Sequence, residues 1–127
     1  MFIVFEGGDG SGKSTIIDLV VKHYETTKRF DIIKTREPGG TKSAELIRNL
    51  ILKDYFNTDN KREKFDKYTD TLLYLAARNE HVKNKIKPAL KKNNIVICDR
   101  FTDSTLAYQV HGKNVNINFI NISNYQL

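Results

Sequence analysis

The chain has 127 residues, of which 28% are charged and 39% hydrophobic, with a formal net charge of +6; this is room for one soluble domain with a modest core and no obvious second one. No apolar run approaches the ~20 residues that would span a bilayer, and nothing at the N-terminus reads as a secretion signal. The single cysteine, Cys98, forms no internal disulfide, which makes a reducing cytoplasm the default compartment.

In chain order, Phe2–Phe5 is a short apolar, β-favouring run, and the glycine-rich stretch "EGGDGSGKST" follows it. A helix is expected from about Lys13, with Ile16, Ile17, Val20, Val21 and Tyr24 at helical spacing. "DIIKT", Asp31–Thr35, reads as a second strand, and Ser43–Leu52 as a second helix with Ala44, Ile47, Leu50 and Ile51 on one face. Asp54–Lys67 is polar and dense in charge, and is expected to be an exposed loop or an extra helical turn. A third helix is predicted from about Tyr68 to Lys83 and a fourth over Lys85–Lys92, with Pro88 in its early turns. "IVIC", Ile95–Cys98, is the third strand. Strands alternating with helices imply crossover connections, hence an α/β fold with a parallel sheet covered by helices on both faces.

The glycines have a chemical reading. Gly7–Ser14 fits G-x-x-x-x-G-K-[ST] and sits between a buried strand and an amphipathic helix, where that pattern makes a phosphate-binding loop. Gly8, Gly10 and Gly12 let backbone N–H groups turn toward phosphate oxygens, at the positive end of the new helix. Lys13 neutralises phosphate charge and Ser14 offers a hydroxyl to Mg²⁺. The expected ATP-binding stretch is Gly7, Gly8, Asp9, Gly10, Ser11, Gly12, Lys13, Ser14 and Thr15. Asp99 and Arg100 close the third strand, where function gathers in α/β sheets. Asp99 suits a Mg²⁺ shell and Arg100 a second anionic group; the plainer reading is a surface ion pair. No Asn-Lys-x-Asp guanine-reading motif occurs, and no Cys/His cluster suits zinc.

"EGGDGSGKST", "TREPGGT", "LLYLAARNEHV…IKPAL" and "VICDRFTDSTLAYQ" resemble thymidylate kinases of the bacterial type in order and spacing, from Met1 to about Gly112. The resemblance implies a P-loop fold of the nucleoside monophosphate kinase type and transfer of the γ-phosphoryl of ATP to dTMP, with Mg²⁺. It implies an acceptor site of Asp9, Glu37, Pro38, Arg48, Tyr74, Arg78, Arg100, Thr105, Tyr108 and Gln109. Asp9 falls near the acceptor sugar and the transferring phosphate, and Glu37-Pro38 forms a turn expected to be cis. Arg48 and Arg100 clamp the acceptor phosphate, Tyr74 stacks on thymine and Arg78 hydrogen-bonds it. Thr105, Tyr108 and Gln109 read the base edge and pack under the deoxyribose. The catalytic residues implied are Asp9, Lys13 and Arg100; the metal residues are Ser14 and Asp99.

Read from the residues alone, Tyr74 and Arg78 stand at i and i+4 and meet on one helix face. Core packing for Tyr74 and a solvated face for Arg78 are the plainer alternatives. His81 and Cys98 are assigned no role, and Lys83–Lys92 is expected to be a solvated basic face, with neither nucleic acid nor membrane as a partner. The resemblance leaves room for a homodimer. Two readings compete with the kinase: a nucleotide-binding fragment or module without useful catalysis, and a deoxynucleoside kinase.

The sequence departs from the family pattern in three places. Asp54–Lys67 is longer than usual, Tyr74 replaces a Phe, and the family pattern continues beyond Leu127 through further strands and an arginine-bearing lid. Residues 1–127 are therefore expected to be a C-terminally truncated P-loop kinase domain, lacking that lid and, with Gly10 in the loop, the arginine another branch carries there.

Overall fold

Ile95–Asp99 (β5) is the central strand of a parallel three-stranded sheet in the order β1-β5-β2, with β1 spanning Phe2–Phe5 and β2 spanning Ile32–Arg36. The structure is a computed structural model and describes residues 1–27, 30–52, 55–56 and 62–124. The run Ile95, Val96, Ile97 and Cys98 is almost wholly buried, as an apolar strand covered on both faces must be. Register pairs Phe5 and Arg36 with Asp99, so the carboxyl ends of all three strands lie level.

Each face has its own core. On one, Ile17, Ile95 and Ile97 pack with Ile3, Phe5, Val20, Val21, Tyr24 and Ile32 beneath α1 (Lys13–Thr27). On the other, Val96 packs with Val82, Ile86 and Ala89, flanked by Phe2, Ile33, Leu90 and Phe101. Helices thus cover both faces, as the alternating pattern requires. Ile16, expected on the buried stripe of α1, is instead 50% exposed, because the sheet meets the narrower Ile17–Val20–Val21–Tyr24 side. Leu50 likewise leaves the buried face of α2 (Lys42–Leu52), which Ala44 anchors.

The two helices expected over 68–83 and 85–92 form one rod. α3 (Lys67–His81) passes through a π turn at Val82–Ile86 into α4 (Lys87–Lys91). The Lys87 N–H donates to the Val82 carbonyl, five residues back. The widened turn precedes Pro88, which has no N–H and whose ring would strike a carbonyl in a regular α-helix. Asp66 starts the rod by accepting from the Tyr68 N–H at 2.8 Å.

Part of Asp54–Lys67 is neither loop nor helical turn. β3 (Tyr55–Phe56) pairs antiparallel with β4 (Arg62–Glu63), consistent with the β preference of adjacent aromatic residues; residues 54 and 57–61 of that stretch lie outside the described ones. After β5 come α5 (Thr102–Thr105), a second π turn at Leu106–Gly112 and α6 (Ile117–Asn124), whose Phe119 meets Tyr68 edge-on at 5.2 Å. Among the described residues no helix is long and apolar enough to cross a membrane.

Candidate active site

The strand ends open into a cleft of about 680 Å³. The phosphate loop forms one wall, and it lines the cleft from Asp9 through Gly10, Ser11, Gly12, Lys13 and Ser14 to Thr15. Gly10 and Gly12 have φ of +75° and +84°, left-handed values that a side chain would resist. Gly8 has no such value, and its carbonyl instead accepts from Lys13 Nζ at 2.8 Å.

The opposite wall carries the residues expected to hold an acceptor. Glu37, Pro38, Arg48, Tyr74, Arg78, Arg100, Thr105, Tyr108 and Gln109 all line the same cleft, although up to 72 positions of sequence separate them. Gly7 and Gly8, though part of the loop, do not line the cleft. Glu37-Pro38 is a cis peptide, as expected. Its carbonyl end is gripped by Arg48, whose Nη1 donates to the Pro38 oxygen at 2.8 Å.

Arg78 is not on a solvated face. It is 3% exposed, and its Nε donates to Glu37 Oε2 at 2.7 Å. Its Nη2 donates to the Phe101 carbonyl at 2.8 Å and to Thr105 Oγ1 at 2.7 Å, with the guanidinium 4.8 Å from the Phe101 ring centroid. Nη1 is buried and has no partner, a costly state for a charged donor unless a ligand group completes it. Tyr74 is half-buried rather than part of the core, and burial, with Asp70 adding to it, pushes its hydroxyl pKa up. Gln109 is 1% exposed and its amide is 3.5 Å from Asp70 Oδ2, which also pairs with Lys113 at 2.6 Å.

Arg100 stands between the walls. Its Nη2 donates to Asp9 Oδ1 at 2.7 Å and its Nη1 to Ser104 Oγ at 3.2 Å, with the guanidinium 5.3 Å from the Tyr108 ring centroid. Its φ of +67° lies in the left-handed region, unfavourable for any residue that carries a Cβ. Neighbours hold it there: the Arg100 N–H donates to the Phe5 carbonyl at 2.9 Å and the Phe101 N–H to Glu6 Oε1 at 2.7 Å. Glu6 also accepts from Ser104 Oγ at 2.5 Å. Sequence reasoning missed Glu6, and missed Arg36, Leu52, Phe101 and Ser104 as cleft residues. The only available signal for Glu6 was a carboxylate between a strand and a glycine loop.

Asp99 faces both this cleft and a smaller recess behind Ser14. Its Oδ1 is buried and without a partner. An orphaned carboxylate oxygen beside a loop hydroxyl is a fitting donor set for a hard cation that keeps most of its ligands as water and phosphate. Such a cleft can hold a phosphate chain on one wall and a flat, hydrogen-bonding ring with its own anion on the other.

A family model described as thymidylate kinase matches residues 5–127. The thymidylate kinase of Finegoldia magna is 51% identical over 128 residues, covering 100% of this chain and 60% of that protein. That of Pediococcus pentosaceus is 46% identical over 114 residues, covering 90% of this chain and 52% of its own. The crystal structure of thymidylate kinase from Ehrlichia chaffeensis superposes with a TM-score of 0.87 at 40% identity, over 99% of this chain and 68% of that one. The chain spans between about half and three-fifths of the length of these curated relatives.

Proposed function

The chain belongs to the thymidylate kinase family, and from that we propose that its cleft binds ATP and dTMP side by side and transfers the γ-phosphoryl of ATP to the 5′-phosphate of dTMP, giving ADP and dTDP. The observation that carries this reading is that a phosphate loop and a buried arginine with an unpartnered donor share one cleft, which Arg48 and Arg100 also line.

ATP lays its phosphates along the loop, where backbone N–H groups and the start of α1 favour negative charge. Lys13 exchanges the Gly8 carbonyl for phosphate oxygens. Thymine lies against Tyr74, a stack that needs only a flat apolar face, and its carbonyl accepts from Arg78 Nη1. Arg48 and Arg100 grip the acceptor phosphate, since a guanidinium fork matches phosphate oxygens. The arriving phosphate takes the place of the exposed Asp9 carboxylate at Arg100, which leaves Asp9 beside the acceptor sugar. Tyr108 lies beneath the sugar and disfavours a 2′-hydroxyl. Ser14 and Asp99 would hold Mg²⁺, which when bound neutralises phosphate charge in the transfer. Phosphoryl transfer needs little beyond this positioning and charge neutralisation.

A homodimer belongs to the same reading. Leu46 and Leu50 on α2 and Leu72 on α3 are all exposed, and these helices pack against each other, which supports an apolar contact face there.

The test is to incubate the protein with ATP, Mg²⁺ and dTMP and to resolve the nucleotides by anion-exchange chromatography. ADP and dTDP in equal amounts are expected, with dTMP preferred over its ribonucleotide. Phosphorylation of thymidine instead would make it a deoxynucleoside kinase. Binding of both nucleotides without transfer would make it a nucleotide-binding module.

A further inference from the structure

We propose that His81 is a positioning residue for the acceptor base, acting through Glu37 on Arg78; the inference rests on the reading of the cleft given above. His81 is fully buried and does not itself line the cleft. Its Nδ1 lies 3.1 Å from Glu37 Oε1 and its Nε2 2.7 Å from Thr35 Oγ1. A carboxylate oxygen only accepts, so Nδ1 carries the proton, while Nε2 shares a second hydrogen bond with the Thr35 hydroxyl. The ring is therefore oriented at both nitrogens, and Gly40 presses on it: a Cβ there would stand 2.5 Å from the imidazole and 2.6 Å from Thr35 Oγ1.

The chain of contacts has one consequence for ligand binding. Glu37 divides its oxygens, Oε1 to His81 and Oε2 to Arg78 Nε. Arg78 Nη2 is then free to reach Phe101 and Thr105, and Nη1 is left as the open donor. Without the imidazole, the carboxylate turns both oxygens onto Nε and Nη2, the two-bond fork that carboxylates and guanidiniums favour. Nη2 then leaves Thr105, and the edge that meets the base tilts away. His81 thus keeps a strong pair from becoming stronger in the wrong geometry.

The experiment is calorimetric titration with dTMP, and separately with ATP, of the wild type, Arg78→Ala, His81→Leu and His81→Asn. Leucine keeps the volume and removes the donor, whereas the asparagine amide sits near the Nδ1 position and restores it. His81→Leu is expected to weaken dTMP binding about tenfold or more, and His81→Asn to recover most of that, with ATP affinity changed by less than about twofold throughout. A packing role predicts the opposite order, with leucine the milder change. Loss on Arg78→Ala with none on His81→Leu, or asparagine no better than leucine, overturns this inference alone. A wild type that does not bind dTMP, or an Arg78→Ala that loses nothing, overturns the reading of the cleft and this inference with it. Should His81→Leu fail to fold, ¹⁵N spectra of the wild-type imidazole decide: a protonated Nδ1 is expected, and a bare Nδ1 overturns it.

Discussion

Arg100 and Asp9 meet across 91 positions of sequence, Nη2 to Oδ1 at 2.7 Å, with the Asp9 side chain 93% exposed and that of Arg100 17% exposed. A pair so open to solvent adds at most about 1 kcal/mol to stability. Its interest lies in what it neutralises, a guanidinium fixed in a left-handed backbone and aimed into the cleft. Arg100→Ala is expected to weaken dTMP binding by about 1.5–3 kcal/mol, the worth of hydrogen bonds to a charged group, while ATP binding stays nearly unchanged. Asp9→Asn should leave the urea midpoint almost where it was and still lower dTDP formation. Titration calorimetry, urea melts and the chromatographic assay read these three outcomes.

The Lys13 ammonium donates to the Gly8 carbonyl within its own loop. Lys13→Ala therefore removes little of the fold, yet it removes the cation proposed to neutralise the phosphates. Phosphoryl transfer is expected to fall below detection with the circular dichroism spectrum unchanged. Retention of most activity would show that this loop does not hold the donor.

Tyr74 separates two roles by its ligands. A stacking ring contributes about 1–3 kcal/mol per base, so Tyr74→Ala should weaken dTMP binding by that amount and leave ATP binding alone. Equal loss of both ligands would mark it as a packing residue.

Much of this arrangement was legible in the residues. Ile95–Cys98 announces a strand buried on both faces because four apolar residues run without a break, and the phosphate loop follows a fixed spacing between strand and helix. Tyr74 and Arg78 are placed on one helix face by simple periodicity. Periodicity does not say which way that face looks, and the burial of Arg78 depends on Glu37 and Thr105, which lie 41 positions before it and 27 after it. Ile16 reads as core for a similar reason: the stripe on α1 is wider than the sheet it meets. Two-residue strands such as Tyr55–Phe56 carry too little pattern to be seen. The π turn before Pro88 is foreshadowed only by the proline, which signals a disturbance but not its form.

Cys98 offers a test that depends on pH. Burial, reinforced by Glu37 and Asp99, pushes its thiol far above the usual range, and the thiol donates to the Arg100 carbonyl at 3.2 Å. An acid whose folded pKa is raised holds its proton when the unfolded chain has lost it. Its contribution to stability is therefore complete below the unfolded value of about 8.5 and declines as pH rises beyond it. Urea melts between about pH 8 and pH 10 should show that decline, and Cys98→Ala, less stable at neutral pH, should show a shallower one. In the native state the thiol should resist iodoacetamide at about pH 8 and react fully in urea. Ready alkylation of the folded protein would contradict the burial.

Gly40 ties the Glu37-Pro38 turn to the helix that carries Arg78. Its φ is +89°, a conformation that alone disfavours any side chain. An added Cβ would also meet the His81 ring at 2.5 Å and the Thr35 hydroxyl at 2.6 Å, both on buried side chains with little room to move. The Gly40 N–H donates to Glu45 Oε1 at 2.9 Å, a bond that, together with Arg36, holds the Glu45 carboxyl below its ordinary pKa. Gly40→Ala thus strains the backbone, crowds the Thr35–His81 pair and loosens the Gly40–Glu45 bond at once. The expected cost is about 2–4 kcal/mol, from backbone strain of about 1–3 kcal/mol and the displaced neighbours. The same change should weaken dTMP binding more than ATP binding, because His81 and Glu37 lie on the side proposed to hold the acceptor. Glu45→Gln provides the comparison, since it keeps the glycine and removes only the charge from the acceptor of that bond, and it should cost less on both counts. Urea melts and parallel titrations with the two nucleotides measure both effects. A Gly40→Ala protein as stable as the wild type would mean that the turn can move away from α3, and that the acceptor wall is not braced in this way.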